Sequence, residues 1–64
     1  MKICFDQEHD IVNIKFQEGE YDISDEVRDG IIIDMTKDHK LMAIEILDAS
    51  QKLPKKELDA LLVS

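Results

Sequence analysis

The stretch GIIIDMTKDHKLMAIEILDAS, Gly30 to Ser50, constrains the fold of this chain more than any other. Two apolar runs, Ile31 to Thr36 and Leu41 to Leu47, flank the polar segment Lys37-Asp38-His39-Lys40, a pattern of strand, turn and strand. Side chains alternate across a strand, so one face collects Ile31, Ile33, Met35, Met42, Ile44 and Ile46. The opposite face carries Ile32, Asp34, Leu41, Ala43, Glu45 and Leu47, which is neither properly polar nor properly apolar. A hairpin with one fully apolar face must bury it, and the rest of the chain supplies the means.

Lys2 to Asp6 and Ile11 to Phe16 read as a first hairpin, with Gln7 to Asp10 as its polar connection. Pairing Phe5 with Val12 and Ile3 with Ile14 puts Ile3, Phe5, Val12, Ile14 and Phe16 on one apolar face. A register shifted by one residue would bury Asn13 and Lys15 instead, so the pattern fixes the parity. Cys4 then lies opposite Asn13 on the second face, and Lys2 beside Lys15. Gln17 to Asp22 reads as a loop, and Ile23 to Val27 as a strand with three polar residues. Arg28-Asp29-Gly30 suits a three-residue hairpin loop ending in a left-handed glycine, which pairs Val27 with Ile31 and Ile23 with Met35. This register sends Asp25 to the apolar face, tolerable only at a sheet edge. The central hairpin pairs Met35 with Met42, Ile33 with Ile44, and Ile31 with Ile46.

After Leu47 the periodicity changes. Pro54 starts a helix where its missing N–H is harmless, and Leu58, Leu61 and Leu62 form its apolar stripe. A helix this short is marginal alone and should pack on the apolar sheet face. The expected fold is α+β: an antiparallel β-meander of four to five strands with one short C-terminal helix on one sheet face. Strands are expected at about 2–6, 11–16, 23–27, 31–36 and 41–47, a helix at about 54–62, and one domain over 1–64.

Sixty-four residues make a small core, and below ~70–80 residues a single core rarely supplies more than ~3–5 kcal/mol. One cysteine, Cys4, cannot form an internal disulfide and is expected as a buried or half-buried small hydrophobe in a reducing compartment. Self-association is the remaining aid to stability. Fifteen acids against eight bases give a net charge of −7, which argues against nucleic acid and anionic membrane as partners and permits a basic protein or a cation. No N-terminal run is long enough for a signal peptide or membrane span, so the cytoplasm is expected.

The registers place Glu26, Ile32 and Glu45 in one row of the second face, and Ser24, Asp34 and Ala43 in the next. Ile11, Glu26, Ile32, Asp34, Leu41, Ala43, Glu45 and Leu47 together form a candidate interface, apolar residues framed by acids. It would serve a symmetric homodimer, in which the carboxylates would face one another, or a basic partner of complementary charge. Paired carboxylates can perform general acid–base chemistry, but no nucleophile or phosphate loop lies nearby, so no enzyme activity and no cofactor are expected. A small metal- or ligand-binding role is the alternative. His9 and His39 each sit beside carboxylates, but in a simple meander the two turns lie at opposite ends of the sheet. Neither turn holds the three or four ligands that zinc requires.

The residues Asp6, Glu8 and Asp10, then DGIIID (Asp29 to Asp34) and LMAIEILDAS (Leu41 to Ser50), carry a resemblance to the domain-of-unknown-function 2283 family of short prokaryotic proteins. The last segment is close to that family's usual L-V-G-I-E-I-L-x-A-S ending, and the resemblance covers about residues 2 to 50. His39 stands where the family usually has a turn glycine, which argues against a positive φ there. Ala43 stands where glycine is usual in the strand, adding a methyl to the mixed face. The resemblance implies a small β-rich prokaryotic cytoplasmic protein and brings no established activity, cofactor or catalytic residue. Members of such families are sometimes encoded beside small basic toxin-like proteins, which implies an antitoxin-like role.

Overall fold

The computed structural model describes residues 1–63. Five strands, β1 (Lys2–Asp6), β2 (Ile11–Lys15), β3 (Ile23–Arg28), β4 (Ile31–Met35) and β5 (Leu41–Leu47), are followed by helices α1 (Ala49–Lys52) and α2 (Lys55–Val63). All strand pairs are antiparallel, in the order β1-β2-β5-β4-β3. The α+β class and the packed C-terminal helix are as the sequence pattern predicts. Each strand neighbours the next except at one step, because β2 pairs with β5 rather than β3. β5 is therefore central, and β1 and β3 form the edges.

The registers follow apolar parity. Phe5 is opposite Val12, Ile3 opposite Ile14 and Cys4 opposite Asn13. Ile31 is opposite Ile46, and Ile33 opposite Ile44. Two bulges depart from the expected pairing. In β3 the register shifts between Glu26 and Arg28, so Arg28 rather than Val27 pairs with Ile31. Gly30 follows at φ 74°, left-handed as expected, and a Cβ there would sit 2.8 Å from the Lys52 amine and 3.3 Å from Leu47. Asp25 does fall opposite Ile33 on the apolar face, but on edge strand β3, where its carboxylate reaches water.

The second bulge matters more for the site. Asp34 pairs with Ala43 but Met35 pairs with Leu41, leaving Met42 as the extra residue, not as the expected partner of Met35. A bulge resets side-chain parity. Leu41, expected on the mixed face, shares the face of Met35 instead. Met42, expected on the apolar face, is buried with its methyl 3.5 Å from where a Cβ on Gly19 would lie.

The core lies between the helices and one side of the sheet. Val12, Ala49 and Leu58 are its fully enclosed members, and Phe5, Ile14, Ile46, Leu53 and Leu61 pack against them. Leu62, the third residue of the expected stripe, is exposed. Helix α2 lies over β1, so cover extends across β1, β2 and β5. Ile23, Ile31, Ile33 and Met35 of β3 and β4, on the same face, are half-buried and lie outside this cluster.

Residues that carry the family resemblance hold the top of this layer together. Ala49 N–H donates to the Asp10 carbonyl (2.9 Å), and the Ser50 N–H (3.0 Å) and hydroxyl (2.6 Å) both donate to the Asp10 carboxylate. Leu47 N–H donates to the Gly30 carbonyl at 2.7 Å. The first turn, the Asp-Gly turn and the Leu-Asp-Ala-Ser ending thus lock onto one another. At the opposite end His39 adopts φ 64°, so the turn keeps a positive φ despite the absence of glycine.

Candidate functional site

The second face of the sheet is built as two main rows. Asn13, Glu45, Ile32 and Glu26 form one across β2, β5, β4 and β3; Lys15, Ala43, Asp34 and Ser24 form the other. The pairing of β2 with β5 therefore sets Asn13 and Lys15 against the carboxylates that the sequence brings together. Asn13 Nδ2 donates to Glu45 Oε1 at 3.4 Å, and Ser24 Oγ donates to Asp34 Oδ1 at 2.8 Å. Asp34 is only 7 % exposed, the one buried charged residue among those described.

At the end of the sheet where β5 begins, this face is roofed by the crossover from β2 to β3. The chain must pass three strand spacings, about 14 Å, within the seven residues 16 to 22, which can span about 24 Å. Phe16 N–H donates to the Met42 carbonyl (2.8 Å), and Gln17 Nε2 to the Leu41 carbonyl (2.7 Å). Asp22 N–H donates to the Met35 carbonyl (2.9 Å), and the Asp22 carboxylate accepts the Lys37 N–H (3.2 Å). Pinned at both ends, the crossover takes φ 119° at Gly19, a value suited to glycine, and overhangs an open cleft of about 290 Å³. Asp34, Glu45, Asn13, Lys15, Gln17 and Tyr21 give it polar walls, and Gly19, Met42 and Ala43 complete it.

Of the candidate interface, Ile11, Ile32, Glu45 and Leu47 are half-buried and Glu26 is exposed, its carboxylate accepting the Gly30 N–H at 2.8 Å. Asp34 and Ala43 are buried at the cleft. Leu41 does not belong to this face, because the Met42 bulge turns it to the helix side. The residues missed from sequence are Asn13, Lys15, Gln17, Gly19, Tyr21 and Met42. The length of the crossover was the available signal: tight turns join neighbours, whereas seven residues suit passage across other strands.

Cys4 is exposed on edge strand β1, contrary to the expected burial, because its side of the sheet carries no helix. His9 and His39 lie at opposite ends of the sheet, since β5 begins beside the turn of His39 and ends beside the turn of His9. The His9 ring nitrogen Nδ1 lies 2.9 Å from an Asp6 oxygen, and that hydrogen bond is the main reason the Asp6 carboxyl titrates below its usual value. Asp38 is likewise lowered, chiefly by the Thr36 hydroxyl. Among the described residues no three His, Cys, Asp or Glu side chains converge as a metal site would require. No described helix is long and apolar enough to cross a membrane.

No curated protein and no solved structure gives a match to this chain. The family model described as "Protein of unknown function (DUF2283)" matches residues 2–50, which include all five strands and end before α2. That match spans most of the 64 residues, and the chain belongs to this family of unknown function.

Proposed function

We propose that the chain is a non-enzymatic protein-interaction module that receives a basic protein on its second sheet face, in an antitoxin-like role. The observation that supports this most is the row of Glu45, Ile32 and Glu26, flanked by Asp34 and the half-buried Ile11 and Leu47. Aliphatic groups there give a partner area to bury, while the carboxylates favour positive charge and oppose a second copy of this −7 chain. The test is to identify the product of the adjacent gene, expected to be a small basic protein, and to follow its binding to the purified chain by interferometry. Association should slow severalfold between about 0.05 and 0.5 M salt, because steering charges are screened beyond a Debye length of about 10 Å at 0.1 M. Glu45→Lys and Ile32→Lys should each weaken the complex at least tenfold. No binding by wild type, or binding indifferent to both substitutions, overturns the proposal.

The cleft supports a second reading, a site for a small polar ligand. Its volume of about 290 Å³ is at the lower limit of small-molecule sites, and Asp34 is a buried charge on its wall. Calorimetry with zinc, manganese and magnesium tests the metal form of this reading, and absence of heat with all three removes it.

A further inference from the structure

The helix-side face over β3 and β4 differs in charge from the rest of the molecule. Ile23, Ile31, Ile33, Met35 and Leu41 form it, half-buried or, for Leu41, 43 % exposed. Its charged residues are Asp25, opposite Ile33, and Arg28, opposite Ile31. The patch is therefore neutral, with one charge of each sign, on a chain of net charge −7. Neither Asp25 nor Arg28 has an ion-pair partner among the described residues. A basic partner would find no excess of acid here.

A second copy would find its complement. A twofold axis between Asp25 and Arg28 brings Asp25 of one copy to Arg28 of the other, and the reverse pair follows by symmetry. From this we infer that the β3–β4 half of the helix-side face is a homodimer interface, with two sheets packed face to face and joined by reciprocal Asp25–Arg28 pairs. This surface is distinct from the one proposed for a basic partner. Three strand widths by five residues give a footprint of about 14 × 17 Å. That is under a third of the ~800 Å² per partner of stable complexes, so the dimer is weak and its midpoint lies at high concentration.

Sedimentation velocity of the full chain from about 1 to 500 µM tests it, with circular dichroism to verify folding. Wild type should pass from monomer to dimer, and more readily at 0.5 M than at 0.05 M salt, because salt screens the repulsion between two −7 chains. A basic-partner complex has the opposite salt dependence, so the two proposals fail separately. Asp25→Arg and Arg28→Asp should each raise the dissociation constant about tenfold or more, since each sets like charges face to face. Mixing these two variants, or combining both substitutions in one chain, should restore dimers. A wild type that is monomeric throughout assigns Asp25 to protection of an edge strand and overturns the inference. A dimer that tolerates both single reversals overturns it as well.

Discussion

The two faces of this sheet come from the same strands and differ in what covers them. On the helix side, apolar residues on every strand demand cover, and the buried cluster that α1 and α2 complete takes in residues of β1, β2 and β5. On the other side a mixed surface is overhung at one end by a seven-residue crossover, above an open cleft with polar walls. The helices bury Ala49 completely and Leu58 to 5 % exposure; the crossover buries Met42 to the same 5 % but leaves a cleft beside it. Helical cover thus makes core, and loop cover leaves an open polar cleft.

The largest expected effect tests the helical half. Leu58→Ala should cost about 2–5 kcal/mol, close to the whole stability of so small a domain, and leave the chain largely unfolded at 25 °C. Ile33→Ala, on the half without helix, should cost only about 1–2 kcal/mol, because its side chain already meets water. Urea titrations at low micromolar concentration, below the proposed dimer midpoint, make the comparison. Equal losses would show that the β3–β4 half is covered as well as the rest.

Met42→Ala carries the comparison to the other face. The lost side chain should cost about 2 kcal/mol, at the low end for such truncations, because the crossover can settle into the space. Its signature should be local. Amide exchange should quicken over residues 16 to 22 while the β1–β2 pairing keeps its protection, whereas Leu58→Ala should quicken exchange throughout. Uniform acceleration in Met42→Ala would mean that the roof and the core open as one unit.

The same contrast explains what was legible in the sequence. Asn13 between Val12 and Ile14, and Asp34 between Ile33 and Met35, leave one acceptable parity, so the rows Glu26-Ile32-Glu45 and Ser24-Asp34-Ala43 follow from pattern together with the Arg28-Asp29-Gly30 turn. Leu41 and Met42 are both apolar, so no alternation marks a bulge between them. Its cause is tertiary: Met42 fills the space beneath Gly19. Nor does pattern choose between β3 and β5 as the neighbour of β2, since both present apolar residues at matching parity. Pattern alone therefore does not bring Asn13 and Lys15 beside Glu45 and Ala43.

The smallest expected effect concerns the turn of the first hairpin, where a histidine beside a carboxylate invites a functional reading. Asp6 shares the parity of the second face, opposite Ile11, but its partner is His9 within its own turn. The His9 hydrogen bonds favour the ionised carboxylate and lower its pKa from the ordinary 3.8. A carboxyl whose folded pKa is depressed stabilises the fold above its unfolded pKa and loses that contribution as pH falls through the folded value. Wild type and Asp6→Asn should therefore differ slightly in melting temperature at pH 7, and the difference should fade below about pH 3.8. Carbon-13 titration of the Asp6 carboxyl should give a midpoint below 3.8 that returns towards it in His9→Ala. A midpoint at the ordinary value in wild type would free Asp6 from His9 and make it available to the second face, adding a carboxylate at the β1 edge in the row of Ile11 and Leu47.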